Sequence, residues 1–130
     1  MTMNGALGHG WNLALWIAQG FLCVMFLFGG VMKLAKSPEG LAKMGWLWAQ
    51  SIPRRFILFI GIMEIAGSVG IVVPPLVGIL PVLVPLSALG FILVQVSAIV
   101  LHARRKETAQ TLWLNSILLA AALFVLWGRL

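Results

Sequence analysis

Three long stretches of the chain carry no formal charge: residues 1–32, residues 65–103 with His102 neutral, and residues 108–128. A helix needs roughly 20 apolar residues to cross the hydrocarbon of a bilayer. The runs therefore accommodate four spans, expected at about residues 11–32, 55–73, 78–101 and 111–128 within a single transmembrane domain covering residues 1–130. The middle run is too long for one span. Pro74-Pro75 divides it, because proline lacks the amide donor and restricts the residue before it, so the second and third helices should meet in a very short turn there. Pro81 and Pro85 then fall in the first turns of the third span, where a missing N–H is best tolerated.

Composition agrees. The sequence is 62% hydrophobic and 9% charged, whereas soluble domains are about 25% charged. A chain of 130 residues cannot bury that apolar surface in its own core, so lipid must serve as its solvent. The net charge of +6 does not point to nucleic acid, because the basic residues lie between apolar runs. Lys33, Lys36, Lys43, Arg54 and Arg55 flank the first connection, Arg104, Arg105 and Lys106 lie in the third, and Arg129 stands alone on the other side. The positive-inside bias then places both termini outside the cell membrane. Trp11 and Trp127 fall at the outer interface, and Trp46, Trp48 and Trp113 at the inner one.

In the first connection, Ser37-Pro38-Glu39 has the order of an N-cap, a proline at the first helical position and an acid in the first turn. A short interfacial helix is expected over about residues 38–50, with Leu41, Met44, Leu47 and Trp48 on one face. It would serve as a tether between the first two spans or as a lid over an intramembrane site.

Glu64 lies nine residues into the second span, or roughly 14 Å along its axis at 1.5 Å per residue. Intramembrane acids are costly, face protein, and mark proton, ion or substrate paths. Gly61, Gly67 and Ser68 share its face and allow a neighbouring helix to approach closely. The other spans each have one stripe carrying their few polar groups: Gln19, Leu22, Phe26, Gly30 and Lys33 in the first, Ala88, Phe91, Gln95, Ala98 and His102 in the third, and Asn115, Ala122 and Arg129 in the fourth. An up-and-down four-helix bundle turns all of them inward. The expected result is a cluster of Lys33, Glu64, Gln95, His102 and Asn115.

Glu64, with Lys33 or His102, is the candidate acid–base group, and Gln95, Asn115, Phe26 and Phe91 are candidate substrate contacts. Each has a structural alternative. Lys33 reads as a snorkelling anchor, His102 as an interfacial residue beside the basic run, and Gln95, Asn115 and Gln19 as interhelical hydrogen-bonding groups. Cys23, the one cysteine, is expected to be a dispensable small hydrophobe. No Cys/His cluster has metal-ligand spacing, no phosphate loop or Rossmann fingerprint is present, and His9 and His102 fall on opposite membrane faces, which excludes them as paired haem ligands.

Gly30-Val31-Met32-Lys33-Leu34, Gly61-Ile62-Met63-Glu64-Ile65-Ala66-Gly67, Pro85-Leu86-Ser87-Ala88-Leu89-Gly90, and His102-Ala103-Arg104-Arg105 followed by Asn115 together resemble the DoxX-like small membrane proteins, over roughly Trp11 to Arg129. The resemblance implies a four-helix membrane bundle in which Lys33, Glu64, His102 and Asn115 match recurrent polar positions. Named relatives include a small subunit of a thiosulfate:quinone oxidoreductase and proteins tied to oxidative-stress complexes or to chaperoning of membrane partners. The resemblance leaves any cofactor unidentified. Two functions from different classes follow: a membrane subunit or small enzyme handling a quinone-like or other lipophilic molecule, and a proton-coupled carrier. Small multidrug transporters place their essential acid in helix one, which has none here, so the carrier is the weaker of the two. A membrane chaperone or assembly partner without chemistry is a third. A homodimer, or association with a partner membrane protein, is expected from the small-residue stretch Ala66 to Gly70.

Overall fold

The computed structural model describes the backbone of residues 2–80, 82–104 and 108–130, and the side chains of residues 10–80, 82–104 and 113–130. Its architecture is all-helical. Helix α1 spans Thr2–Ala35, α2 Pro38–Lys43, α3 Arg54–Val77, α4 Leu83–Arg104 and α5 Thr108–Arg129, with a 3-10 turn at Leu47–Ser51 between α2 and α3. The four long helices form a ring in which α1 packs on α3 and α5, and α4 packs on α3 and α5. Gly10–Ala35, Arg54–Val77 and Leu83–Arg104 are long and apolar enough to cross a membrane, and α5 contributes a shorter apolar stretch, Trp113–Arg129.

The interior holds Leu22, Phe26, Ile71, Val84, Ala88, Phe91, Leu118, Ala122 and Val125. The stripe predicted for α1 is buried throughout, from Gln19 through Leu22, Phe26 and Gly30 to Lys33. Ile17, Val24, Phe59, Leu86 and Leu93 lie on the outer surface of the ring. Such a distribution suits a protein whose exterior solvent is apolar.

Pro74-Pro75 does not end α3. The helix continues to Val77, and its stop signal is Gly78, which takes φ 73° and returns its N–H to the Pro74 carbonyl. Left-handed backbone of this kind is ordinary for glycine and strained for other residues. The prolines are tolerated because they come in the final turns, and because the bundle repairs one of the bonds they remove. Pro75 has no N–H to give the carbonyl of Ile71, four residues earlier. Gln19 Nε2 of α1 donates to that carbonyl at 2.7 Å. Helix α4 accordingly begins at Leu83, not at residue 78, with Pro85 in its first turn. Pro81 lies outside the described residues.

The first connection also departs from a continuous helix over residues 38–50. Ser37 caps α2 as its sequence implies, its Oγ accepting from the Gly40 N–H at 3.0 Å. Gly45, at φ 98°, then reverses the chain: its N–H goes to Ala42 O and that of Trp46 to Leu41 O. The segment consequently splits into α2 and the 3-10 turn. Leu41 packs with Ala49 and Ile57 in a small separate core, whereas Met44 and Leu47 remain exposed.

The repaired carbonyl can be tested by thermal unfolding in detergent. Gln19→Leu should destabilise the protein by about 1–3 kcal/mol, the cost of an unsatisfied buried polar group. In a Pro75→Ala background the same change should cost less, because the substituted residue supplies its own N–H to the Ile71 carbonyl.

Candidate functional site

Helices α1 and α3 approach closely at two glycines. A β-carbon on Gly30 would lie 2.7 Å from Gly61 O and 2.8 Å from Ile65 Cγ1, and one on Gly61 would lie 3.1 Å from Gly30 O. Their contacts, Gly30 with Gly61 and Gln19 with Ile71, run in opposite senses, so the helices are antiparallel. Side chains on a helix lean toward its N-terminus. Lys33, one turn past Gly30, therefore leans back over the crossing, and Glu64, one turn past Gly61, leans back from the opposite direction. Their charged ends meet beside the glycines.

Lys33 Nζ lies 2.7 Å from Glu64 Oε1. Both residues are buried, Lys33 8% and Glu64 5% exposed. The ammonium also lies 5.0 Å from the ring centroid of Trp46 and 5.6 Å from that of Trp48. The two indoles are stacked at 6.2 Å. A cation over an indole face is attracted by the ring quadrupole, by about 2 kcal/mol when desolvated. Lys33 is thus held between a carboxylate and two aromatic rings. One turn farther along α3, Ser68 Oγ donates to the Glu64 carbonyl at 2.7 Å.

The other predicted residues divide among neighbouring contacts. Phe26 and Phe91 stack face to face, with centroids 4.0 Å apart and planes within 4°. Gly67 makes room for this stack, since a β-carbon there would come within 2.6 Å of the Phe91 ring. Gln95 turns to α5: its Nε2 donates to Asn115 Oδ1 at 3.0 Å and to Asn115 O at 3.2 Å. His102 is half-buried in the last turn of α4. Four of the five residues expected in one cluster therefore divide into an α1–α3 ion pair and an α4–α5 amide pair, and the fifth, His102, lies in the last turn of α4.

Two features were not anticipated as parts of a site. The indoles over Lys33 come from Trp46-Leu47-Trp48, which the sequence places in an aromatic belt; the reversal at Gly45, beside these residues, was the available signal. The second feature lies nearer the other end of the ring. Arg129 Nε donates to Gln19 Oε1 at 2.7 Å, and the guanidinium lies 5.7 Å from the Trp16 ring centroid. Gln19 thereby links α1, α3 and α5 through one amide. Cys23 is half-buried against the main core. Among the described residues, no group of three or more His, Cys, Asp or Glu is placed to hold a metal ion.

Apolar helices of spanning length around a buried Lys–Glu pair define a multi-pass membrane protein with an ionisable pair in its interior. The DoxX-like family model matches residues 17–125. The chain belongs to that family. No curated protein and no solved structure matches it.

The pair should behave as a unit. Lys33→Met strands a buried carboxylate and should destabilise the bundle by about 3–5 kcal/mol, whereas Lys33→Met/Glu64→Met should recover most of that loss. Thermal unfolding of both variants in the same detergent measures the coupling. Independent losses for the two changes would show that the groups are not energetically paired.

Proposed function

We propose that this protein binds a lipophilic, quinone-like small molecule inside the membrane and uses Glu64 as the acid–base group, acting as a membrane subunit or small enzyme of an oxidoreductase system. The observation that carries this reading is the Lys33–Glu64 pair, buried between two apolar helices at 2.7 Å. A buried pair of this kind adds little stability compared with well-packed hydrophobic residues. Ionisable groups inside membrane helices are more often retained for proton or substrate handling. Lys33 steadies charge on Glu64 when the carboxyl gives up its proton, and the tryptophans limit the access of water.

The remaining polar groups take supporting roles in this reading. Gln95 and Asn115 fix α4 against α5, and the stacked Phe26 and Phe91 form an aromatic wall beside Gly67. His102 is assigned to proton exchange between Glu64 and the cytoplasm. Four membrane spans, with both termini outside the cell membrane and α2 along the inner headgroups, complete the arrangement. Eight basic residues flank the first and third connections and one lies on the opposite side, which supports that orientation.

Binding of 2-decyl-1,4-benzoquinone to the protein in nanodiscs, followed through tryptophan quenching, tests the acid–base role. Glu64→Gln preserves volume but cannot ionise. The variant should fold and lose either binding or the pH dependence of binding. Wild-type behaviour across pH would make Glu64 structural. Reporter fusions test the orientation independently: both termini should report the outside, and a fusion after Gln50 should report the cytoplasm. An external Gln50 fusion would reverse it.

A further inference from the structure

Arg129 carries a positive charge that the rest of the chain leaves uncompensated. It is the last residue of α5, and close packing fixes its turn: Gly128 lies so near Leu15 of α1 that a β-carbon there would overlap the Leu15 side chain. Instead of extending outward, the guanidinium runs back to a fully buried amide, its Nε donating to Gln19 Oε1 at 2.7 Å, and its Cζ stands 5.7 Å from the Trp16 ring centroid. Nη2 is enclosed without a hydrogen-bonding partner, while part of the residue stays exposed. The charge has thus lost much of its water and gained one neutral amide and one aromatic face. No acid of the chain reaches it. There are three: Glu64 is held by Lys33, Glu39 lies in α2, past the far end of α1, and Glu107 precedes α5, whose 22 residues put roughly 30 Å between its ends. Among the described residues, Lys33–Glu64 is the one ion pair. The carboxyl end of α5 offers about half a negative charge, which is not a full counter-ion. A partly desolvated cation without one is costly, so the compensating anion comes from outside the chain.

We infer that the Arg129 guanidinium binds the phosphodiester of an anionic phospholipid at this end of the bundle. Depth selects the ligand. Trp11, Phe124 and Trp127 form one aromatic group here, with ring centroids 5.3 to 6.0 Å apart, and Trp11 and Trp127 are 42% and 47% exposed. Indoles so placed sit at headgroup level, where lipid phosphates are the abundant anions. Charge selects the headgroup. A singly charged phosphodiester meets the part of the guanidinium that remains exposed and neutralises it through a charge-assisted hydrogen bond; the enclosed Nη2 takes no part. A zwitterionic lipid brings an ammonium as well, and no acid stands at this end to receive it. Phosphatidylglycerol, with hydroxyls in place of that ammonium, is the matching class. The contact involves neither Glu64 nor a particular orientation of the chain in the membrane, and is independent of the proposed acid–base chemistry.

Solid-state NMR reads the contact directly. Protein labelled with carbon-13 at arginine Cζ is reconstituted in three bilayers: phosphatidylglycerol, phosphatidylcholine, and phosphatidylcholine with saturating inorganic phosphate. Arg129→Gln assigns the Arg129 signal by its loss; the glutamine amide nitrogen takes the place of Arg129 Nε, so a donor to Gln19 is kept. Arg129→Lys makes the same assignment if the first variant does not fold. Recoupling to phosphorus-31 should attenuate the Arg129 signal strongly in phosphatidylglycerol and only weakly in the other two. Thermal unfolding gives a second readout. The gain in unfolding temperature on passing from phosphatidylcholine to phosphatidylglycerol should shrink in Arg129→Gln. It should keep its wild-type size in Lys36→Gln, which removes one exposed charge from the opposite end. Equal attenuation in phosphatidylcholine, none in phosphatidylglycerol, an unchanged gain in Arg129→Gln, or an equal loss of gain in Lys36→Gln would each overturn the lipid contact. Attenuation that rises to the phosphatidylglycerol level on adding inorganic phosphate would overturn it in favour of a free anion.

Discussion

Everything distinctive about the interior follows from the close antiparallel crossing of α1 and α3 at Gly30 and Gly61. Without β-carbons there, the two backbones approach closely enough for each helix's charged residue to lean across the other. Gly30-Val31-Met32-Lys33 and Gly61-Ile62-Met63-Glu64 have the same pattern, a glycine followed three residues later by a charge, with opposite signs. Antiparallel packing turns this shared spacing into an ion pair, because side-chain lean brings the charged ends toward each other. The separation of 2.7 Å between Nζ and Oε1 is a consequence of backbone proximity.

The tryptophans then decide what kind of ion pair it is. A lysine near a helix end ordinarily extends to the headgroups and keeps its ammonium hydrated. Here the chain reverses at Gly45 and brings Trp46 and Trp48 over that ammonium, while Leu41, Ala49 and Ile57 anchor the segment beneath them. The charge is thus held inside the bundle.

The inward stripes were legible in the sequence because helical spacing and the scarcity of polar residues leave few arrangements: Gln19, Phe26, Lys33, Glu64, Phe91 and Gln95 are all buried. The N-cap at Ser37 was legible for a local reason, since its Oγ needs only the N–H three residues on. Pairing between helices was less so. Gln95 and Asn115 were assigned to one cluster with Glu64, but rotation of α4 directs the Gln95 amide to α5, and nothing in residue spacing specifies that rotation. The length of α3 was misjudged because Pro74-Pro75 is a local stop signal, whereas the compensating donor is Gln19, 52 positions away from Ile71.

That distant donor bears on how the chain is built into a bilayer. An isolated α3 would carry the Ile71 carbonyl into hydrocarbon without its amide partner, a state that costs free energy until another polar group arrives. Gln19 precedes it in synthesis, so the donor is already in place when the acceptor enters. The last turns of α3 are therefore completed by docking against α1, and assembly of these two helices is coupled to the maturation of one of them.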